Sequence, residues 1–272
     1  MTIRRREFLG AACAGALTTR AWGQGNGSAE APTRAAKVEK LYKAPDAHPN
    51  ALEAAVDGLW IADQISEHVA KVDWETGKVL HQFVSESHNT SGIAVGGGYL
   101  WLNANGAGSA AQMRPSRPTD KPFGEIIKAD MKTGKQIKAY DPPWGGVHGA
   151  TYVHETDKLW VVALNIGALA ELDPKDELRV LRMIPVKQNA PHGIAWHEGG
   201  IWCLSAGDRL AQKLDPNSGR VLDVVTLTPQ DPDPHGMCIH NGYMYYCDAG
   251  LGGGRQASPG AAPAYVCRFK LS

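Results

Sequence analysis

Pro191-His-Gly-Ile-Ala-Trp-His-Glu-Gly-Gly-Ile-Trp-Cys-Leu-Ser205 reads as two short strands around a tight turn. Gly193 to Trp196 and Ile201 to Ser205 are strand-forming runs, and His197-Glu-Gly-Gly200 supplies the reversal between them. Arg209-Leu-Ala-Gln-Lys-Leu214 adds a third strand, and Arg220 to Leu227 adds a fourth beyond the Asp215-Pro-Asn-Ser-Gly219 turn. The same unit recurs along the chain. His148-Gly149, His192-Gly193 and His235-Gly236 each open one, and Asn241-Gly242 makes the corresponding hairpin turn in the last.

Two other landmarks give the period. Aromatic positions fall at Trp60, Trp101, Trp160, Trp202 and Tyr245, spaced by 41, 59, 42 and 43 residues. The long interval holds Asn105 to Gly124, a Gly, Ser and Pro-rich stretch that reads as a loop inserted into an otherwise regular unit. Asp73, Asp130, Asp173 and Asp215 open turn-like runs at matching places. Four-stranded units repeating every 40 to 45 residues or so cannot bury both faces alone and are the signature of propeller blades. The fold expected is therefore all-β, a β-propeller of five four-stranded blades. Only three strands follow His235, and Val38-Glu-Lys-Leu-Tyr-Lys-Ala-Pro45 resembles the outer strand of a later unit, Leu222 to Pro229. This N-terminal strand is expected to complete the last blade and close the ring.

With 28 basic and 28 acidic residues the 272-residue chain has zero formal net charge, which offers no footprint for nucleic acid. No apolar run approaches the roughly 18 residues of a membrane span. Residues 1–31 differ in kind from the single domain expected over 32–272. Arg4-Arg5-Arg6-Glu7-Phe8-Leu9, an alanine-rich stretch from Gly10 to Thr19 and the spacer Gln24-Gly-Asn-Gly-Ser28 resemble a twin-arginine export signal. That resemblance implies a bacterial periplasmic or secreted protein, handled by the twin-arginine export machinery and folded before export. Cys203, Cys238, Cys247 and Cys267 lack a CxxC spacing and fit either a disulfide in an oxidising compartment or small buried apolar residues.

Topology decides which residues share a face. In a four-stranded meander the start of the first strand and the loop between strands two and three lie at the same end. The three histidines therefore share a face with two insertions, 105–124 and 250–264, and the Asp turns lie at the opposite end with His154, His197 and His240. The innermost strands line the channel, so His148, His192 and His235 are expected to converge there, with Asn50 and Ser91 at the equivalent positions of the first two units. Three neutral imidazoles suit a divalent metal ion, zinc or magnesium, with a position open for water or substrate. A polar residue followed by glycine also caps such loops without any chemistry.

Further candidates on this face are His48, His88, Asp63, Gln64, Asn103, Asn105, Asn165, Asp208, Arg209 and Asp248, each fit to act as acid, base or partner to an imidazole, or simply solvated. Arg209 could clamp a carboxylate. Arg114, Arg117, Lys121 and Arg255 make the insertions basic.

The Pro-His-Gly openings at 191 and 234, the following Gly-x-[Trp/Tyr] and the Asp-Pro-x-Ser-Gly turn resemble streptogramin (virginiamycin B) lyase-like propellers and, more widely, the NHL and YVTN repeat groups. The resemblance spans residues 37 to 272. It implies a metal-dependent lyase acting on a small-molecule or peptide-like ligand, with His148, His192 and His235 as metal ligands or base; the residues themselves add Arg209 as the group that would orient the substrate. Two other readings stay open: a non-catalytic periplasmic propeller that binds a partner on the same face, and a gluconolactonase-like hydrolase, which would prefer an oxygen-only calcium site.

Overall fold

The computed structural model describes residues 30–106, 118, 121–249 and 264–272. The chain divides into Met1–Glu30 and Ala31–Ser272. The export-signal reading of residues 1–31 thus falls almost wholly outside the described residues, as do most of both insertions and Arg114, Arg117 and Arg255.

Ala31–Ser272 forms five four-stranded antiparallel blades. The innermost strands are β3 (Pro49–Ala55), β7 (Thr90–Gly96), β11 (Val147–Val153), β15 (Pro191–His197) and β19 (Pro234–His240). Each packs on the next, and β19 packs back on β3, so the ring is closed. Second strands are β4 (Gly58–Asp63), β8 (Tyr99–Ala104), β12 (Lys158–Ala163), β16 (Gly200–Ser205) and β20 (Tyr243–Asp248). Third strands are β5 (His68–Val72), β9 (Glu125–Ala129), β13 (Ala168–Asp173), β17 (Leu210–Leu214) and β21 (Tyr265–Lys270). The outer strands of the first four blades are β6 (Val79–Val84), β10 (Gln136–Tyr140), β14 (Arg179–Pro185) and β18 (Val221–Thr226). The fifth blade takes its outer strand from the N-terminal segment, β2 (Glu39–Lys43), which pairs antiparallel with β21.

The periodic aromatics explain why the blades stack. Trp60, Trp101, Trp160, Trp202 and Tyr245 are all buried, each inside a different one of five apolar clusters. Each cluster joins two neighbouring blades. The last of them brings Leu52 and Leu59 of the first blade against Cys238, Tyr245 and Val266 of the fifth. Closure is therefore cored like every other blade interface, and burying one such large side chain is worth about 1.5–3 kcal/mol.

A strand that the repeat pattern does not announce, β1 (Thr33–Ala35), runs parallel to β18 with Thr33 opposite Val224 and Ala35 opposite Thr226. Arg34 bridges to Asp223 at 2.5 Å and donates to the Leu271 carbonyl. One N-terminal run thus ties the outer edges of the fourth and fifth blades together.

The expected turns between third and fourth strands are built on their aspartates. Asp73, Asp130 and Asp215 each accept two backbone N–H bonds and a hydroxyl from the residues just ahead, which holds their carboxyls below the usual range. All four described cysteines are free and buried, so the small apolar reading is the one observed.

Candidate functional site

In every blade the pairing of the innermost strand with its neighbour slips just after the first residue, between Pro49 and Ala51, Thr90 and Gly92, Val147 and Ala150, Pro191 and Ile194, and Pro234 and Met237. Such a bulge re-aims the side chain that it carries. Asn50, Ser91, His148, His192 and His235 occupy these bulges and so form one five-membered ring. The glycine that follows each histidine is set by inter-blade packing: a Cβ on Gly149 would sit 2.1 Å from the His192 carbonyl oxygen, one on Gly193 2.4 Å from the Met237 nitrogen, and one on Gly236 2.5 Å from the Ala51 Cα.

The three imidazoles meet in sequence around the ring. His148 and His192 have ring centroids 4.3 Å apart at 51°, and His192 and His235 4.5 Å apart at 86°. His148 and His235 are buried and His192 is partly exposed. Backbone carbonyls only accept, so they assign the tautomers. His192 donates its Nδ1 proton to the Ala190 carbonyl at 2.8 Å, and His235 points Nδ1 at the Asp233 carbonyl at 3.4 Å, with the Asp233 carboxylate 3.6 Å away. Both therefore present Nε2 as the basic atom. His148 is reversed. Its Nδ1 is buried without a partner, and its ring donates to the Ser91 backbone, which leaves Nδ1 as the lone-pair atom. Burial and the neighbouring His192 ring hold the His148 pKa well below the usual imidazole value, outweighing the Ser91 contact, so it is neutral near neutral pH.

The donor types are those of a zinc tripod, and magnesium, which prefers oxygen, suits them poorly. Their placement is different. Three imidazoles sharing one tetrahedral ion at about 2.0–2.1 Å would hold their centroids about 5 Å apart, whereas these rings stack tilted and edge to face at shorter separations. Among the described residues no three His, Cys, Asp or Glu side chains surround a common point as a metal's ligands would.

Arg209 is engaged elsewhere. With φ at 53°, it donates to the carbonyls of Thr228, Asp231 and Pro232 and pairs with Asp233 at 3.1 Å, pinning the loop that delivers His235. It acts on the ring through Asp233, not by facing the channel. His48 donates Nδ1–H to the Ala249 carbonyl at 3.1 Å, and His88 lies 3.1 Å from Glu67, so both are held in the loops. Asp208 caps its own loop by accepting from the Asn189 N–H and the Ser205 hydroxyl. Asn165 is exposed and donates to Trp144, and Asp248 ends β20 opposite Pro234. Asn103 is fully buried and donates to the His148 and Gly149 carbonyls, so it positions the His148 backbone. Lys121, the one described member of the insertions' basic set, faces Glu125 at 3.5 Å.

The structure also exposes groups that the sequence reading passed over. Glu53 lies one step below the ring in β3, at the position where other blades carry Ala94, Thr151, Ala195 and Cys238. Its Oε1 accepts the Val95 N–H at 3.3 Å, and burial pushes its pKa up to about 8. An acidic residue where the other four repeats are small or uncharged was the available signal. Asp233, two residues before His235, was likewise legible as the residue preceding Pro234-His235.

No family model matches the chain, and no curated protein sequence matches it. Among solved structures, the Myxococcus xanthus glutaminyl cyclase is similar with a TM-score of 0.62 at 13% identity, over 89% of this chain and 100% of that one. A luciferin-regenerating enzyme superposes with a TM-score of 0.51 at 13% identity, over 86% and 95% of the two chains. A streptogramin B lyase gives 0.50 at 13% identity, over 87% and 98%. At these identities the likeness is one of fold, and it places the chain among propeller proteins that include enzymes.

Proposed function

We propose that the chain is an enzyme whose working groups are the three imidazoles at the mouth of the propeller channel, acting as general base and acid on a small or peptide-like substrate. The observation that supports this most is the succession of His148, His192 and His235 in ring-to-ring contact, with His148 Nδ1 buried and unpartnered. A lyase is the reaction class that this chemistry fits best. His192 Nε2 removes a proton beside a carbonyl, the C–H electrons form a double bond, and a C–O or C–N leaving group departs with its electron pair and takes the proton back from the imidazolium. The neighbouring His148, kept neutral, tolerates one charge in the cluster and disfavours a second. That streptogramin B lyase and glutaminyl cyclase share the fold makes their substrates the first to try.

Zinc is part of the proposal as an ion that His148, His192 and His235 would hold after their rings turn toward one point. It would supply a Lewis acid for the substrate carbonyl, and none of the steps above runs through it. Export through the twin-arginine route is proposed from residues 1–31.

The test is turnover of streptogramin B and of glutaminyl peptides by wild type and by His192→Gln, with elemental analysis of tag-free protein alongside. Activity that falls about 10²–10⁴-fold in the variant at unchanged melting temperature supports general-base catalysis. Equal activity in both proteins removes His192 from the chemistry. No turnover in a broad lyase and hydrolase screen leaves the non-catalytic binding propeller as the better account.

A further inference from the structure

The outer strand of a blade is an edge to which another chain can add, and charged residues or proline ordinarily block such edges. β10 carries Lys138, β14 carries Arg179, Arg182 and Pro185, and β2 carries Glu39, Lys40 and Lys43. β18 has the single charge of Asp223, and its edge is already extended by β1, whose Arg34 pairs with that aspartate. The remaining outer strand, β6, reads Val79-Leu-His-Gln-Phe-Val84, with no charge and no proline. It ends its sheet in the order β3-β4-β5-β6. Val79, Leu80 and Val84 are 40%, 52% and 60% exposed there.

The register fixes which backbone groups this edge offers. Ser85 donates its N–H to the Glu67 carbonyl, Phe83 lies opposite Val69, and His81 lies opposite Lys71. Successive residues of an antiparallel strand turn their N–H and C=O to opposite sides, so these odd-numbered residues face β5 while Leu80, Gln82 and Val84 turn theirs outward. The side chains alternate in step. His81 and Phe83 lean on the second blade, where His81 donates Nε2–H to the Lys132 carbonyl at 2.8 Å and Phe83 fills the space that a Cβ on Gly134 would take. Lys78, Leu80, Gln82, Val84 and Glu86 make up the other face, and all five are exposed.

That face complements itself when reversed. An antiparallel copy centred on Gln82 sets Lys78 against Glu86, Leu80 against Val84 and Gln82 against its own counterpart. Leu80, Gln82 and Val84 are the outward-facing residues, so each opposed pair among them exchanges backbone N–H and C=O bonds. Glu86 Oε2 accepts the Gln136 N–H at 2.5 Å, which fixes its carboxylate beside the strand end. A shift of two residues either way loses both Lys–Glu pairs and sets the Gln82 amide against an apolar side chain, so charge and apolar contact select the same register.

We propose that β6 is the interface of a two-fold homodimer, in which the first blades of two copies join edge to edge into one continuous antiparallel sheet. A two-fold contact requires a patch complementary to itself, and this strand supplies one. The inference is independent of the imidazole ring. A single strand pair is small among specific interfaces, so the dimer forms reversibly.

Sedimentation velocity of the intact protein from about 1 to 100 μM, a range suited to a small reversible interface, is expected to show the average mass rising from one chain toward two. Gln82→Pro removes an N–H that points out of the blade, so it should leave the melting temperature unchanged and weaken the dimer about tenfold or more. Lys78→Glu turns both cross-strand pairs into Glu–Glu and should weaken the dimer about threefold or more, with Lys78→Glu/Glu86→Lys restoring it. Lys78 is exposed, so this pair of variants decides the matter should Gln82→Pro unfold the blade. Wild type that remains a single chain at the highest concentration overturns the proposal, as does a dimer that is equally tight in wild type and Lys78→Glu or in wild type and a folded Gln82→Pro.

Discussion

Glu53→Gln is expected to stabilise the protein, by an amount that depends on pH in a defined way. The carboxyl is enclosed by protein below the histidine ring, and its pKa rises from 4.5 to about 8 on folding because burial disfavours the charge. The folded chain therefore keeps a proton that the unfolded chain has released at neutral pH. The stability contributed by this group is complete below 4.5 and is lost as pH rises to about 8, at about 1.4 kcal/mol per pH unit. At pH 7 the loss comes to about 3 kcal/mol, less whatever solvent in the channel relieves, since Glu53 retains partial access to water. Glutamine keeps the oxygen that accepts the Val95 N–H and removes the titration. Urea denaturation of both proteins from pH 4.5 to 9 should show a stability gap near zero at the acid end, widening with a slope near the linkage value and levelling close to pH 8. A gap that does not change with pH refutes the reasoning, because Glu53 would then titrate alike in the folded and unfolded chains.

His148 gives the opposite pH sense. Its lowered pKa contributes stability that is complete above 6.5 and is lost as pH falls below it, so wild type should weaken relative to His148→Gln in denaturant midpoints taken from pH 7 down to 5. Gly149→Ala should destabilise by about 1–3 kcal/mol or more, since its Cβ would overlap a carbonyl of the next blade. Gly199→Ala, with open space around it but φ at 71°, should lose only about 1–2 kcal/mol by thermal melts of both variants. Deleting residues 30–43 removes β1 and β2 together and should open the fifth blade, read as faster proteolysis of β19 to β21 than of the first three blades.

The blade count, the strand order and the closing strand were legible because the repeat writes them several times over: the aromatics at Trp60 to Tyr245 each core one interface, and the Asp turns mark one end of the first four sheets. β1 left no such trace. It is three residues long and is placed by pairing with β18 and by Arg34, neither of which repeats. The histidine ring followed from register alone, since residues that open equivalent strands meet at the axis of a closed ring. The partners of those histidines did not follow, because they lie in loops whose conformation is individual to each blade. Arg209 illustrates this: its position at the exit of β16 suggested a substrate clamp, but its side chain is long enough to reach the 228–233 loop, and four acceptors there claim it. Asn50 and Gln64 were noticed singly. Asn89 joins them, since Asn50 donates to Gln64 and Gln64 to Asn89.

The most direct test of the imidazole ring is long-range proton–nitrogen NMR of its three histidines in metal-free protein at neutral pH. The account predicts protons on Nδ1 of His192 and His235, and a neutral His148 that carries its proton on Nε2. A ring of three identical tautomers, or a His148 that titrates at the ordinary imidazole value, would contradict it.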